Sequence, residues 1–119
     1  MNWKKLEKIE QLIDIDVASH EAPVLIFKHS TRCSISSAAL ARLERSWENE
    51  AMQEIQVYFL DLLANRTTSN AVADHYEVEH QSPQALLIRK GDCAYHESHM
   101  GIDYEEIKRI ALKKSLTEY

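Results

Sequence analysis

Behind Pro23 stand four consecutive apolar residues, Val24-Leu25-Ile26-Phe27, and the way they are followed narrows the fold more than any other feature of the chain. An unbroken apolar run of this length suits a strand covered on both faces, as in a parallel sheet. Lys28 to Arg32 reads as a polar loop. Beyond it Ile35, Ala39, Leu43 and Trp47 recur every four residues, with Leu40 widening the stripe, which predicts a helix from about Ser34 to Trp47. Ile55 to Asp61, rich in β-branched and aromatic residues, reads as a second strand. A strand, a crossover helix and a strand of one sheet require the two strands to run parallel.

The flanks extend this unit. Trp3, Leu6, Ile9 and Ile13 fall at spacings of three and four and predict an amphipathic helix over Trp3 to Ile13. Thr67 to Tyr76 reads as a short helix capped by Thr67 or Thr68. Ser82-Pro83 breaks the chain, and Gln84 to Arg89 follows as a third strand. Lys90-Gly91-Asp92 is a turn signal, and Cys93 to Ser98 returns as a fourth strand antiparallel to the third. After Gly101, Asp103 is placed to cap a last helix with Ile107, Ile110, Ala111 and Leu116 on its inner face. The order α, β-α-β, α, β-β, α predicts an α/β fold. One domain over residues 1–119 would hold a four-stranded mixed sheet flanked by helices, with an extra N-terminal helix.

Composition removes several classes of function. The formal net charge is −5 and no Lys/Arg cluster is present, so nucleic acid is not an expected partner. No apolar stretch approaches membrane-spanning length and the first ten residues are charged, so a membrane is not expected either and the expected location is cytoplasmic. Two cysteines sixty positions apart do not make a secreted disulfide framework, and in a reducing compartment both would rest as thiols.

Of the two, Cys33 carries the functional reading. It falls between a buried strand and a helix start, in Thr31-Arg32-Cys33-Ser34-Ile35-Ser36. The first amides of a helix lack intrahelical partners and, with the aligned peptide dipoles, act like about half a positive charge. A thiolate is favoured there, and Arg32 adds a full charge beside it. The plainer reading of any single cysteine is a small buried hydrophobe; the polar flanks and the downstream proline weigh against it. Ser36 stands where a two-cysteine site places its resolving thiol, and serine forms no disulfide, so a mixed disulfide at Cys33 would wait for an outside thiol. The plainer reading of Ser34 and Ser36 is that they are polar residues of a first helical turn.

Cys93 reads as non-catalytic. At about 3.3 Å per residue, the third strand would put it roughly 20 Å from the Pro83 end. Cys93, His96 and His99 have a spacing reminiscent of metal ligands, but residues 93 and 96 of a strand face opposite ways and a fourth ligand is missing, so no metal is expected. His29 reads as an exposed loop histidine, with assistance to Cys33 as a base the sharper alternative. Trp3 and Trp47 read as core residues.

A cysteine after the first buried strand, Ser82-Pro83 before the third, and the run Pro83 to Gly91 resemble thioredoxin-like proteins over nearly the whole chain. More closely, Phe27-Lys28-His29-Ser30-Thr31-Arg32-Cys33-Ser34-Ile35-Ser36 resembles the YtxJ-type general stress proteins, the monothiol bacilliredoxins. Their usual Thr-Cys-Pro-Ile-Ser is Arg-Cys-Ser-Ile-Ser here, and Ser34 restores an amide donor where proline would suit the first turn. The resemblance implies a thioredoxin-like fold and a nucleophilic Cys33. It implies client protein cysteines capped by a low-molecular-weight thiol, chiefly bacillithiol, which would act as co-substrate with no bound cofactor. It implies a cis-proline at Pro83, with Ser82 offering backbone hydrogen bonds, and a thiol site shaped by Thr31, Arg32, Ser34, Ile35, Ser36, Ser82 and Pro83. Two-cysteine thioredoxins keep a buried aspartate six residues before the nucleophile; that position is Phe27 here, in keeping with a one-thiol reaction. Two other readings stay open: a redox-inactive stress-response adaptor on the same fold, and a monothiol iron–sulfur carrier, whose paired-glycine glutathione signature is absent after Pro83.

Overall fold

The computed structural model describes residues 1–113. Its strands are β1 (Lys4–Lys5), β2 (Val24–His29), β3 (Gln56–Asp61), β4 (Gln84–Arg89) and β5 (Asp92–Ser98), and its helices α1 (Gln11–Ser19), α2 (Ser34–Ser46), α3 (Arg66–Tyr76) and α4 (Tyr104–Ala111). Among the described residues the strands form one sheet in the order β1-β3-β2-β4-β5. β2 and β3 run parallel, from Val24 beside Gln56 to His29 beside Asp61. β4 runs antiparallel to both β2 and β5. The β4–β5 turn places Lys90 and Gly91 at φ 54° and 81°, the left-handed pair that matches the twist of a two-residue hairpin.

The apolar run behaves as read. Alternate residues of the central strands face opposite layers, and each layer is covered by helices. Leu25, Phe27, Val57, Ala85 and Leu87 pack with Ala39 and Leu43 of α2 and Ile107 and Ala111 of α4. Val24, Ile26, Tyr58, Leu60, Leu86 and Ile88 pack with Leu12 and Ile15 of α1 and Val72 and Tyr76 of α3. The two tryptophans are half-buried against the first layer.

Four expectations are corrected. Trp3 to Ile13 is not a helix. Lys4 and Lys5 add a short parallel strand to the edge of β3, so the sheet has five strands rather than four, and α1 begins only at Gln11. The Gln11 side chain holds the bend: its Oε1 accepts from the Glu7 and Lys8 amides and its Nε2 donates to the Lys5 carbonyl. Ile9 and Ile13 are consequently exposed. Second, β2 does not stop at Phe27; Lys28 and His29 continue it and are buried, because β3 and β4 extend far enough to pair with them. Third, the residue capping α3 is Asn65, and Thr68 instead donates its hydroxyl to the Glu7 carbonyl at 2.7 Å. Fourth, Ile35 lies on the outer side of α2 and is half exposed.

Asp103 caps α4 as its sequence position suggests, its carboxylate accepting from the Glu105 amide at 3.1 Å. Ile107 and Ala111 face inward and Ile110 is half-buried; Leu116 lies outside the described residues. No described helix is long and apolar enough to cross a membrane.

Candidate functional site

The parallel register carries β2 toward Cys33. After His29, Ser30 to Arg32 make a short loop whose Ser30 carbonyl accepts from the Cys33 amide at 3.1 Å. Cys33 is the N-terminal cap of α2. Its backbone is extended (φ −108°, ψ 118°), and its carbonyl accepts the first helical bond, from Ser37 at 3.1 Å. The Ser34, Ile35 and Ser36 amides ahead of that bond have no intrahelical acceptor. The Cys33 sulfur makes no capping bond and is half-buried, while Thr31, Arg32, Ser34 and Ile35 around it are exposed.

Ser36 has a different part. It is fully buried, and its hydroxyl oxygen accepts the Ser30 amide at 3.1 Å. The same oxygen lies 2.7 Å from Nδ1 of His29. In the Nε2–H tautomer of His29 the hydroxyl hydrogen goes to Nδ1. Burial lowers the His29 pKa, against the opposing pull of the Asp61 and Glu44 carboxylates, and so favours the neutral ring that accepts this bond. His29 is thus no exposed loop residue. Only 6% exposed, it packs on the rings of Phe27 and Phe59 and braces the Cys33 loop from below through Ser36.

The third contributor comes from β4. Lys28 pairs with Gln84, so the next rung sets Pro83 beside His29, at the end of the sheet from which the Cys33 loop leaves. The Ser82–Pro83 peptide bond is cis. The Pro83 carbonyl accepts from the His99 amide at 3.0 Å, which leaves Ser82 at the loop side of the strand. The Ser82 hydroxyl oxygen is buried and without a hydrogen-bond partner among the described residues. Phe27, at the position where two-cysteine thioredoxins carry a carboxylate, is fully buried against Trp3.

Cys93 is at the other pole. It pairs with Ile88, and Ile88 with Val24, the first residue of β2, five rungs from His29 or about 16 Å along the strands. Burial pushes its thiol up to about 11, and its Sγ donates to the Tyr95 carbonyl at 3.2 Å. Among the described residues no three His, Cys, Asp or Glu side chains gather as metal ligands.

By their polarity Lys28 and His29 read as loop residues, His29 with a role as a base the sharper alternative, and nothing in the sequence gives His80 or Gln84 a part in the site. A signal for the first two existed. No Gly, Pro or Asn separates Phe27 from Ser30, so no turn residue ends the strand before Ser30.

A mixed sheet with helices on both faces, a cis-proline beside the end of its central strand and a single cysteine opening the next helix define a thioredoxin-fold protein with a one-thiol site. The fold is similar to that of thioredoxin from Malassezia sympodialis (12% identity, TM-score 0.69, covering 91% of this chain and 86% of that one). It is similar also to Fasciola hepatica thioredoxin (13%, TM-score 0.65, 89% and 93%). A solved protein provisionally described as an oxidoreductase with a thioredoxin fold is 26% identical, with a TM-score of 0.72 over 89% of this chain and 90% of that one. Residues 4–107 match the family model of the monothiol bacilliredoxin BrxC, and the chain belongs to that family. Family and fold together support a thiol-oxidoreductase type of role.

Proposed function

We propose that this protein is a monothiol thiol–disulfide oxidoreductase that removes a low-molecular-weight thiol, bacillithiol in the first instance, from protein cysteines. The Cys33 thiolate attacks the small-thiol sulfur of the client's mixed disulfide. That S–S bond breaks, the client leaves as a thiolate that takes a proton from water, and a new disulfide joins Cys33 to the small thiol. A second, external thiol then attacks this disulfide and returns Cys33. No bound cofactor enters either step.

One observation carries this reading: Cys33 is only partly buried at the opening of α2 and its sulfur makes no capping hydrogen bond, while position 36 holds a hydroxyl already committed to His29 and Ser30. Thiol exchange at such a site must proceed through an outside partner. Thr31, Arg32, Ser34 and Ile35 flank Cys33 in the chain and are exposed, and Ser82 and Pro83 lead into β4 at the same end of the sheet. Exposed Ile35, Leu63 and Met100, on loops or helix ends at this same pole, give a macromolecular client an apolar rim to rest on.

Intact-mass analysis after mixing with a bacillithiolated protein tests the proposal. The wild type gains the mass of one small thiol and the client loses it; Cys33→Ser gains none. Transfer that persists in Cys33→Ser refutes the assignment.

A further inference from the structure

Lys28 is fully buried, yet among the described residues no carboxylate pairs with it. Its Nζ donates to the Ser69 carbonyl of α3 at 3.2 Å and to Nδ1 of His80 at 3.2 Å. The Ser69 hydroxyl lies 3.3 Å from the same Nδ1. Burial holds the ammonium down to about 8. A buried cation with only neutral acceptors costs stability that a methionine of similar length would not. Some other demand must keep it there.

That demand is visible one rung away. Lys28 and Gln84 are cross-strand partners, and such partners project from the same face of the sheet. Gln84 is also buried, and its side chain donates to the Glu79 carbonyl at 3.0 Å and accepts from the Gln81 amide at 3.4 Å. A single rung of the sheet therefore grips three consecutive residues, Glu79, His80 and Gln81. These lead directly into Ser82–Pro83. Lys28 also ties that segment to α3, so the loop is fixed to a helix as well as to a strand.

We propose that Lys28 and Gln84 are positioning residues that hold the 79–81 segment, and through it Ser82–Pro83, in place for the incoming disulfide. This rests on the reading of the Cys33 pole as a thiol-exchange site. His80 is the latch. Its Nδ1 must be unprotonated to accept from Lys28. The charged groups that bear on it, Lys28 from β2 and Arg66 from α3, are both positive, and Gln84 from β4 is neutral. Protonation of His80 would set an imidazolium N–H against the ammonium and release the segment, so the arrangement loosens under acid.

The test compares Lys28→Met, His80→Leu and His80→Asn with the wild type. Three measurements are made: hydrogen exchange of the Gln81 amide, the NMR titration of His80, and steady-state removal of bacillithiol from a protein client. In Lys28→Met the Gln81 amide exchanges at least tenfold faster. KM rises about tenfold with kcat within twofold, and His80 titrates at higher pH because a positive neighbour is gone. His80→Leu repeats the exchange and KM changes, whereas His80→Asn, whose side-chain oxygen replaces the Nδ1 acceptor, restores wild-type values. Wild-type exchange and KM in Lys28→Met overturn the proposal, as does an unmoved His80 titration. A wild-type protein that transfers no thiol defeats the thiol-exchange reading alone; the Gln81 and His80 measurements still decide the positioning role.

Discussion

The hydroxyl of Ser36 is engaged twice, by the Ser30 amide and by His29 Nδ1, and both bonds are shielded from water. Ser36→Ala strands a buried donor and a buried acceptor at once, and urea unfolding at pH 7 should show a loss of about 1–3 kcal/mol. Lys28 predicts the opposite sign. Its pKa is about 8 in the fold and 10.5 as a free side chain, so between those values the unfolded chain holds a proton that the folded one does not. Wild-type stability therefore rises with pH across that window. Lys28→Met should be more stable than wild type by about 1–3 kcal/mol below pH 8, with the gap closing toward pH 10.5; denaturation at pH 7, 9 and 10.5 measures it. At this scale Cys33 was legible in the sequence, because a strand end, polar flanks and a helical period all meet there. Lys28 and His29 were far less so. Their polarity argues for a loop until Ser69, His80 and Ser36, seven to fifty-two residues away in the chain, are seen to satisfy them.

Among the elements, those with period and punctuation in agreement were recovered closely. β4 runs from Gln84 to Arg89 as read, and α4 starts behind its cap. Asp103→Ala should cost about 1 kcal/mol through the lost bond to the Glu105 amide, read as a lowered unfolding midpoint in urea with an unchanged slope. The N-terminal segment misled because its apolar spacing suits a helix, while its backbone finds better partners along β3. Lys4 and Lys5 lie beside Tyr58 and Phe59, and the Leu6 amide donates to the Phe59 carbonyl at 2.9 Å. Nothing local in Trp3 to Ile13 announces an open strand edge fifty residues further on.

Over the whole molecule, a sheet buried on both faces is what a chain with four straight apolar residues in its first long strand must build, and that much followed from sequence. The packing of α1 and α3 on one face and α2 and α4 on the other did not, since handedness and layer emerge only when the strand order is known. The register separates the two cysteines to opposite ends of the sheet, and Cys93 is held as a thiol by burial. Mild oxidation of the purified protein should yield no Cys33–Cys93 bridge by non-reducing peptide mapping, and finding one would require β4 and β5 to come apart. With its sulfurs at opposite poles, the molecule has no private way to close a disulfide. Under the proposed function every disulfide at Cys33 would be shared with another body, so the rate at which it forms and clears would scale with the concentration of whatever thiol surrounds it, and the redox state of the protein would read out its company rather than its own history.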